Sequence, residues 1–190
     1  MLNQMLIFLL DTLLGLFSLA LLLRFLMQLL RAPHRNPFSP FLIALTDFLV
    51  RPARRVIPGF RGMDLATFLL AWLIQLLLLA AVRTLQGYDF SSSIGIAIGG
   101  LALLALVAII KMTIYIIMVA IIAQALLSWI NPYSPLAPVL DSFTRPFLGA
   151  IRARIPPIAN IDLSPLFVLV IIQLLLFVVA GMERQISHLF

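Results

Sequence analysis

The chain has 190 residues, of which 63% are hydrophobic and 11% charged, with a net charge of +6 and no cysteine. A soluble domain carries about 25% charged residues, so this composition has too little polar surface to cover a water-facing core and reads as a membrane protein. The lack of cysteine excludes structural disulfides, thiolate metal sites, covalent haem attachment and a cysteine nucleophile. His34, in a loop, and His188, near the C-terminal end, are too few and too badly placed for a bis-histidine haem or a zinc site.

Apolar spans of about 20 residues cross a bilayer as helices. The first runs from Leu2 to Leu30 and is interrupted by Asp11 and Arg24. It has neither a basic n-region nor an A-x-A cleavage site and is expected to stay in the mature protein. Asn36-Pro37 then stops the helix, and Ser39-Pro40 offers a capping hydroxyl and a proline for a first helical position. A short amphipathic stretch follows, with Phe41, Leu45, Phe48 and Leu49 on one face. Within it Asp47 precedes Arg51 by four, the favourable order for a helical ion pair.

Asp64 is placed to cap the second span, Leu65 to Val82. Ile94 to Ile130, with Lys111 in its middle, is too long for one untilted span. It is either one long tilted helix or a span with a helical extension at the surface. Asn131-Pro132-Tyr133-Ser134-Pro135 next repeats the first knot, and Leu136, Val139, Leu140 and Phe143 share the face of a second amphipathic stretch. Asp162, with Ser164-Pro165, caps the fourth span, Leu166 to Met182.

These matches form an ordered series. Shifting by 95 brings the first knot onto the second and residues 2–30 onto 97–125. Asp47-x-x-x-Arg51-Pro52 answers Asp141-x-x-x-Arg145-Pro146, and Ile57-Pro58, Asp64-Leu65 and Gln75 answer Ile155-Pro156, Asp162-Leu163 and Gln173. The chain is thus two copies of one unit, residues 1–85 and 94–184, and the long third stretch counts as one crossing. The expected fold is all-α and integral to the membrane: four transmembrane helices from two parallel tandem repeats, each with a short amphipathic interfacial helix. Two crossings per copy make the repeats parallel, unlike the inverted repeats of many transporters. Nine of the thirteen basic residues (Arg31, Arg35, Arg51, Arg54, Arg55, Arg61, Arg145, Arg152 and Arg154) lie in the two loops within the repeats. The positive-inside rule therefore puts both knots in the cytoplasm and both termini outside.

Most of the repeated residues are explained by a turn at the surface that launches an interfacial helix. A functional alternative has Asn36, Ser39, Arg51, Arg54 and Arg55, with Asn131, Ser134, Arg145, Arg152 and Arg154, forming a cytoplasmic-face site for a partner or a lipid headgroup. Asp11, Arg24 and Lys111 are ionisable groups within spans; such groups usually pair in a bundle or mark an ion path. Repeat equivalence suggests an Asp11–Lys111 pair, and Arg24 is close enough to the interface to snorkel. Gln75 and Gln173 suit interhelical hydrogen bonds, Trp129 an aromatic belt, and Gly95-x-x-x-Gly99 a helix contact. There is no nucleophile–base pair, metal-ligand cluster or phosphate loop, so no catalytic residue, metal or cofactor is assigned. The basic residues flank apolar spans, which favours anionic lipid over nucleic acid. Expected partners are membrane lipids, other integral membrane proteins and further copies of the chain.

Two tandem copies of span, N-P-[FY]-S-P, R-P, I-P, D-L-[SA]-[PT] and span closely resemble the YggT family of bacterial integral membrane proteins, which has YlmG-type relatives in chloroplasts. The resemblance covers nearly the whole chain and departs at Asp64-Leu65-Ala66-Thr67, where the first copy lacks Ser-Pro. It implies a multi-pass protein of the bacterial inner membrane without an established reaction. Family members are linked to envelope and division processes, osmotic tolerance and, in plastids, assembly of a haem-bearing cytochrome complex. The leading expectation is a non-enzymatic scaffold or assembly factor, and the alternative is an oligomeric small-ion channel or transporter.

Overall fold

A computed structural model describes residues 1–33, 36–59, 62–88, 94–131, 133–154 and 162–188. Its helices are α1 (Leu2–Leu29), α2 (Phe38–Val56), α3 (Leu65–Leu85), α4 (Ile94–Ile130), α5 (Ala137–Arg152) and α6 (Ser164–Ser187). Four of them, α1, α3, α4 and α6, are long and apolar enough to cross a membrane. The chain is an all-helical, multi-pass membrane protein of two parallel repeats, α1–α2–α3 and α4–α5–α6. His34, Arg35, Arg61, Pro132, Ile155 and Pro156 lie outside the described residues.

Local chemistry sets where the helices stop. Pro33 has no N–H and disfavours helical backbone at the residue before it. Accordingly α1 closes in a Schellman turn: Arg31 N–H donates to Gln28 O at 3.2 Å and Ala32 N–H to Met27 O at 2.8 Å. This turn needs a left-handed residue, and Arg31 takes that place with φ +53°. α3 closes the same way, with Gly87 at φ +84°. Glycine adopts that backbone freely, whereas arginine does so at about 1–2 kcal/mol. α4 has no such stop until Ile130, because Ser128 stands where the shift of 95 aligns Pro33. It is one continuous helix of 37 residues, about 55 Å long against a hydrocarbon core of about 30 Å.

Within each repeat the two spans pack on each other and on the short helix between them. Ser18, Leu21 and Leu22 of α1, Val50 of α2 and Ala71 of α3 are fully or almost fully buried. The small Ser18–Ala71 contact lets the backbones approach, so Ser18 Oγ donates to Ala71 O at 3.2 Å. Ile121, Leu148, Val168 and Ile172 form the corresponding core of α4, α5 and α6. α3 packs on α4 to join the repeats, with Trp72 Nε1 donating to Ala102 O at 3.0 Å. Lipid tails are as apolar as leucine, so close packing and such hydrogen bonds, more than water exclusion, hold the spans together.

Several side chains depart from expectation. Lys111 pairs with Glu183, Nζ to Oε2 at 2.7 Å, and Asp11 is exposed with no partner among the described residues. Equivalent helices are not neighbours by virtue of equivalence: α1 packs chiefly on α3, and α4 on α6. Lys111 lies nineteen residues before Ile130 and Glu183 nineteen after Ser164. Both therefore sit about 28 Å from the α5 end of their helices, which levels them with each other. Gly95 and Gly99 face open space, since an added Cβ at either meets nothing within 4 Å; they mark no helix contact within the chain among the described residues. Gln173 Nε2 reaches Met118 Sδ at 3.6 Å, whereas Gln75 Oε1 is buried without a donor among the described residues.

Candidate functional site

Among the described residues, the end that carries α2 and α5 holds five of the six ion pairs. In the first knot the cap is Asn36, not Ser39: Asn36 Oδ1 accepts from the N–H groups of Phe38 and Ser39, both at 2.9 Å. Its Nδ2 donates to Ser39 Oγ at 2.8 Å. The helix starts at Phe38, before Ser39-Pro40, because Pro37 is already in the helical region (φ −67°, ψ −22°). In the second knot Ser134 Oγ accepts from Leu136 N–H at 3.3 Å, and α5 starts only at Ala137. Asn131 is exposed there. The motif is duplicated, but its hydrogen bonds are not.

The amphipathic faces also diverge. Phe41, Leu45 and Phe48 of α2 are exposed, while Leu42, Thr46 and Val50 turn inward. In α5 the expected apolar face turns toward the protein, with Val139 and Phe143 buried. Both i,i+4 ion pairs form: Arg51 donates to Asp47 and Arg145 to Asp141, each at 2.5 Å. Both arginines are mostly exposed, so solvent screens each pair and it adds little to stability.

Arg24 does not snorkel. Its Nη2 donates to Asp47 Oδ1 at 3.0 Å and its Nη1 to Thr46 Oγ1 at 2.8 Å, in a largely buried setting. The hydrogen bond from Arg24 holds the Asp47 carboxyl below its ordinary range against desolvation, and the charge of Arg51 adds to it. This pairing stops an arginine in the last turns of a span from being an uncompensated charge. The second repeat ties its short helix to its span without charge, through Thr144 Oγ1 donating to Gln124 Oε1.

A further tie is repeated faithfully. Arg54 donates to Asp64 at 2.5 Å and Arg152 to Asp162 at 2.7 Å, linking each short helix to the start of the following span. Each acid also serves its helix start: Asp64 accepts from Thr67 N–H at 3.4 Å and Asp162 from Ser164 N–H at 2.9 Å. Burial pushes the Asp64 carboxyl up, but hydrogen bonds from Arg54 and Thr67 outweigh it and hold it low. Asp162 is likewise held low, by Ser164 and Arg152, against the same opposing burial. The spacing from Arg51 to Arg54 is three residues and from Arg145 to Arg152 seven. Both spacings return to one face of a helix, so the insertion leaves the pair intact. Of the remaining candidate residues, Arg55 and Arg154 are exposed and have no partner among the described residues.

Beside the first knot lies a cavity of about 940 Å³, walled by Arg24, Gln28, Arg31, Ser39, Arg54 and Asp64 together with Met27, Leu42 and the Gly59 and Gly62–Met63 backbone. Gln28 Nε2 donates across it to Gly62 O at 3.3 Å. Gln28 is a cavity residue that motif reading passed over, because it belongs to no duplicated pattern.

Among known proteins, the model of the CCB3/YggT family matches residues 3–85 and again 103–182. The chain belongs to the CCB3/YggT family. Its two matched segments are the two repeats, and the second begins inside α4. Relatives include an uncharacterized protein of Pseudomonas aeruginosa, 36% identical over 98% of this chain and 97% of that one. The YggT protein of Escherichia coli K12 is 34% identical over 90% of this chain and 85% of its own length. A Vibrio alginolyticus protein is 32% identical over 87% and 88%. No solved structure matches the chain.

Proposed function

We propose that this CCB3/YggT protein is a non-enzymatic scaffold or assembly factor of the bacterial inner membrane, engaging other integral membrane proteins through its α2/α5 end. One observation carries the reading. At that end several arginines are ion-paired, while other groups are left facing outward: Arg55 and Arg154, without partners among the described residues, and Trp129 and Tyr133 at 81% and 95% exposure. Unpaired arginine and exposed aromatic side chains are the residue types enriched at protein interfaces. The excess of basic charge there supports a cytoplasmic placement by the positive-inside rule, with both termini outside.

The channel alternative gains little support. Within one copy, Asp11 faces outward and Lys111 is paired with Glu183, so an ion path would have to form between copies of the chain. Crosslinking in intact membranes, followed by mass spectrometry, tests the scaffold. Wild type should yield a defined membrane partner linked through residues 36–59 and 133–154, and an Arg55→Ala/Arg154→Ala variant should lose it. Links confined to copies of this chain, unchanged in the variant, would reject the proposal.

A further inference from the structure

The duplication separates what builds the protein from what is peculiar to one half. Asn36, Ser39, Arg54 and Asp64 all recur in the second copy, as Asn131, Ser134, Arg152 and Asp162. Three polar residues of the cavity wall do not recur. The shift of 95 aligns Arg24, Gln28 and Arg31 with Val119, Ala123 and Leu126. The space exists because α1 stops at Leu29 ahead of Pro33, whereas α4 runs on to Ile130. Its wall carries three guanidinium groups, Arg24, Arg31 and Arg54, and one carboxylate, Asp64. Arg24 pairs with Asp47 and Arg54 with Asp64, which leaves Arg31 as the wall cation without a carboxylate partner among the described residues.

Arg31 adds an energetic clue. It holds a left-handed turn position that glycine would fill without strain, and strained backbone tends to persist where function requires the side chain. A second hollow adjoins the cavity, sharing Met27 and Leu42 as wall residues. It measures about 360 Å³, and its wall is apolar side chains of α1, α2, α4 and α5 apart from Tyr115. A cationic chamber beside an apolar one, at the end of a membrane span, has the two-part character of a phospholipid.

We propose that the first repeat holds one phosphate-ester anion in the Arg24–Arg31–Arg54 cavity, supplied by an anionic phospholipid with an acyl chain along the adjoining apolar hollow. Guanidinium forks match phosphate oxygens in charge and geometry. The volume is within the range of sites for sizeable small molecules and has room for a glycerophosphate headgroup. The site does not depend on the scaffold reading, because its lipid is retained whether or not a protein partner docks.

The test uses the full chain in nanodiscs of phosphatidylcholine with or without phosphatidylglycerol, read by native mass spectrometry after transfer to detergent. Wild type should keep one phosphatidylglycerol through delipidation and keep no phosphatidylcholine. The decisive variant is Arg31→Gly, which suits the left-handed turn: its unfolding midpoint should hold or rise while lipid retention falls about tenfold. Arg184→Gln, near the far end of α6 and outside the cavity wall, should leave retention unchanged. Inorganic phosphate is the competing arm; if it binds lipid-free protein in an Arg31-dependent way and displaces phosphatidylglycerol, the anion is soluble and the lipid assignment fails. Equal retention by wild type and Arg31→Gly, or equal retention of the two lipids, would overturn the site.

Discussion

The paired ties Arg54–Asp64 and Arg152–Asp162 offer an internal comparison, since one piece of chemistry occurs twice at different burial. The Asp64 side chain is 5% exposed and its arginine 44%, whereas Asp162 and Arg152 are 36% and 46% exposed. Replacing either aspartate by alanine removes a helix cap, costing about 1 kcal/mol. The ion-pair contribution differs. For Asp162 both partners are solvated and the pair is worth about 0–0.5 kcal/mol, while the buried Asp64 still loses up to about 1 kcal/mol after screening at the exposed arginine. Asp64→Ala should therefore destabilise by about 2 kcal/mol and Asp162→Ala by about 1 kcal/mol, measured by denaturant titration in detergent micelles. Equal losses, or a larger loss for Asp162→Ala, would refute the idea that burial decides the value of these repeated ties.

The same carboxylates set a pH response. Asp64 and Asp162 are held below their unfolded value, so the unfolded chain binds more protons as acid is added. Their contribution is complete above about pH 4 and is lost as pH falls through the lowered folded values; the unfolding midpoint should be level from neutrality to about pH 5 and drop below about 4. Arg31→Gly removes an unfavourable left-handed arginine and should stabilise the fold by about 0.5–1 kcal/mol after the entropy cost of glycine, as checked by the same titration. Asp11→Asn and Lys111→Met should leave ion flux through proteoliposomes at the level of wild type; abolished flux in either would restore the channel alternative.

Much of the architecture was open to reading from sequence. Long leucine-rich runs, punctuated by Asn-Pro and Ser-Pro, locate the spans, and the ordered offsets expose the duplication. Even the Arg54–Asp64 tie leaves a trace, because Arg54 and Asp64 share a shift of 98 with Arg152 and Asp162. What the sequence concealed was proximity between helices. Lys111 finds Glu183 because α4 packs along α6 in a register that levels the two, and no spacing rule connects residues 72 apart. Arg24 finds Asp47 because α2 returns against α1. Duplicated motifs drew attention to Asn36 and Ser39, whose hydrogen bonds serve a turn. The cavity residues Gln28 and Arg31 were hidden because each occurs in one copy only.

The proposed scaffold requires the α2/α5 end to face the cytoplasm, and the chain's lack of cysteine makes that directly measurable. Single cysteines at Tyr133, on that end, and at Asn3, on the other, would be probed in spheroplasts with a membrane-impermeant maleimide. Labelling at Asn3→Cys in intact spheroplasts, with Tyr133→Cys protected until the membrane is permeabilised, is the predicted result. Labelling of Tyr133→Cys from outside, with Asn3→Cys protected, would invert the protein and remove its basic end from the compartment in which the scaffold is proposed to work.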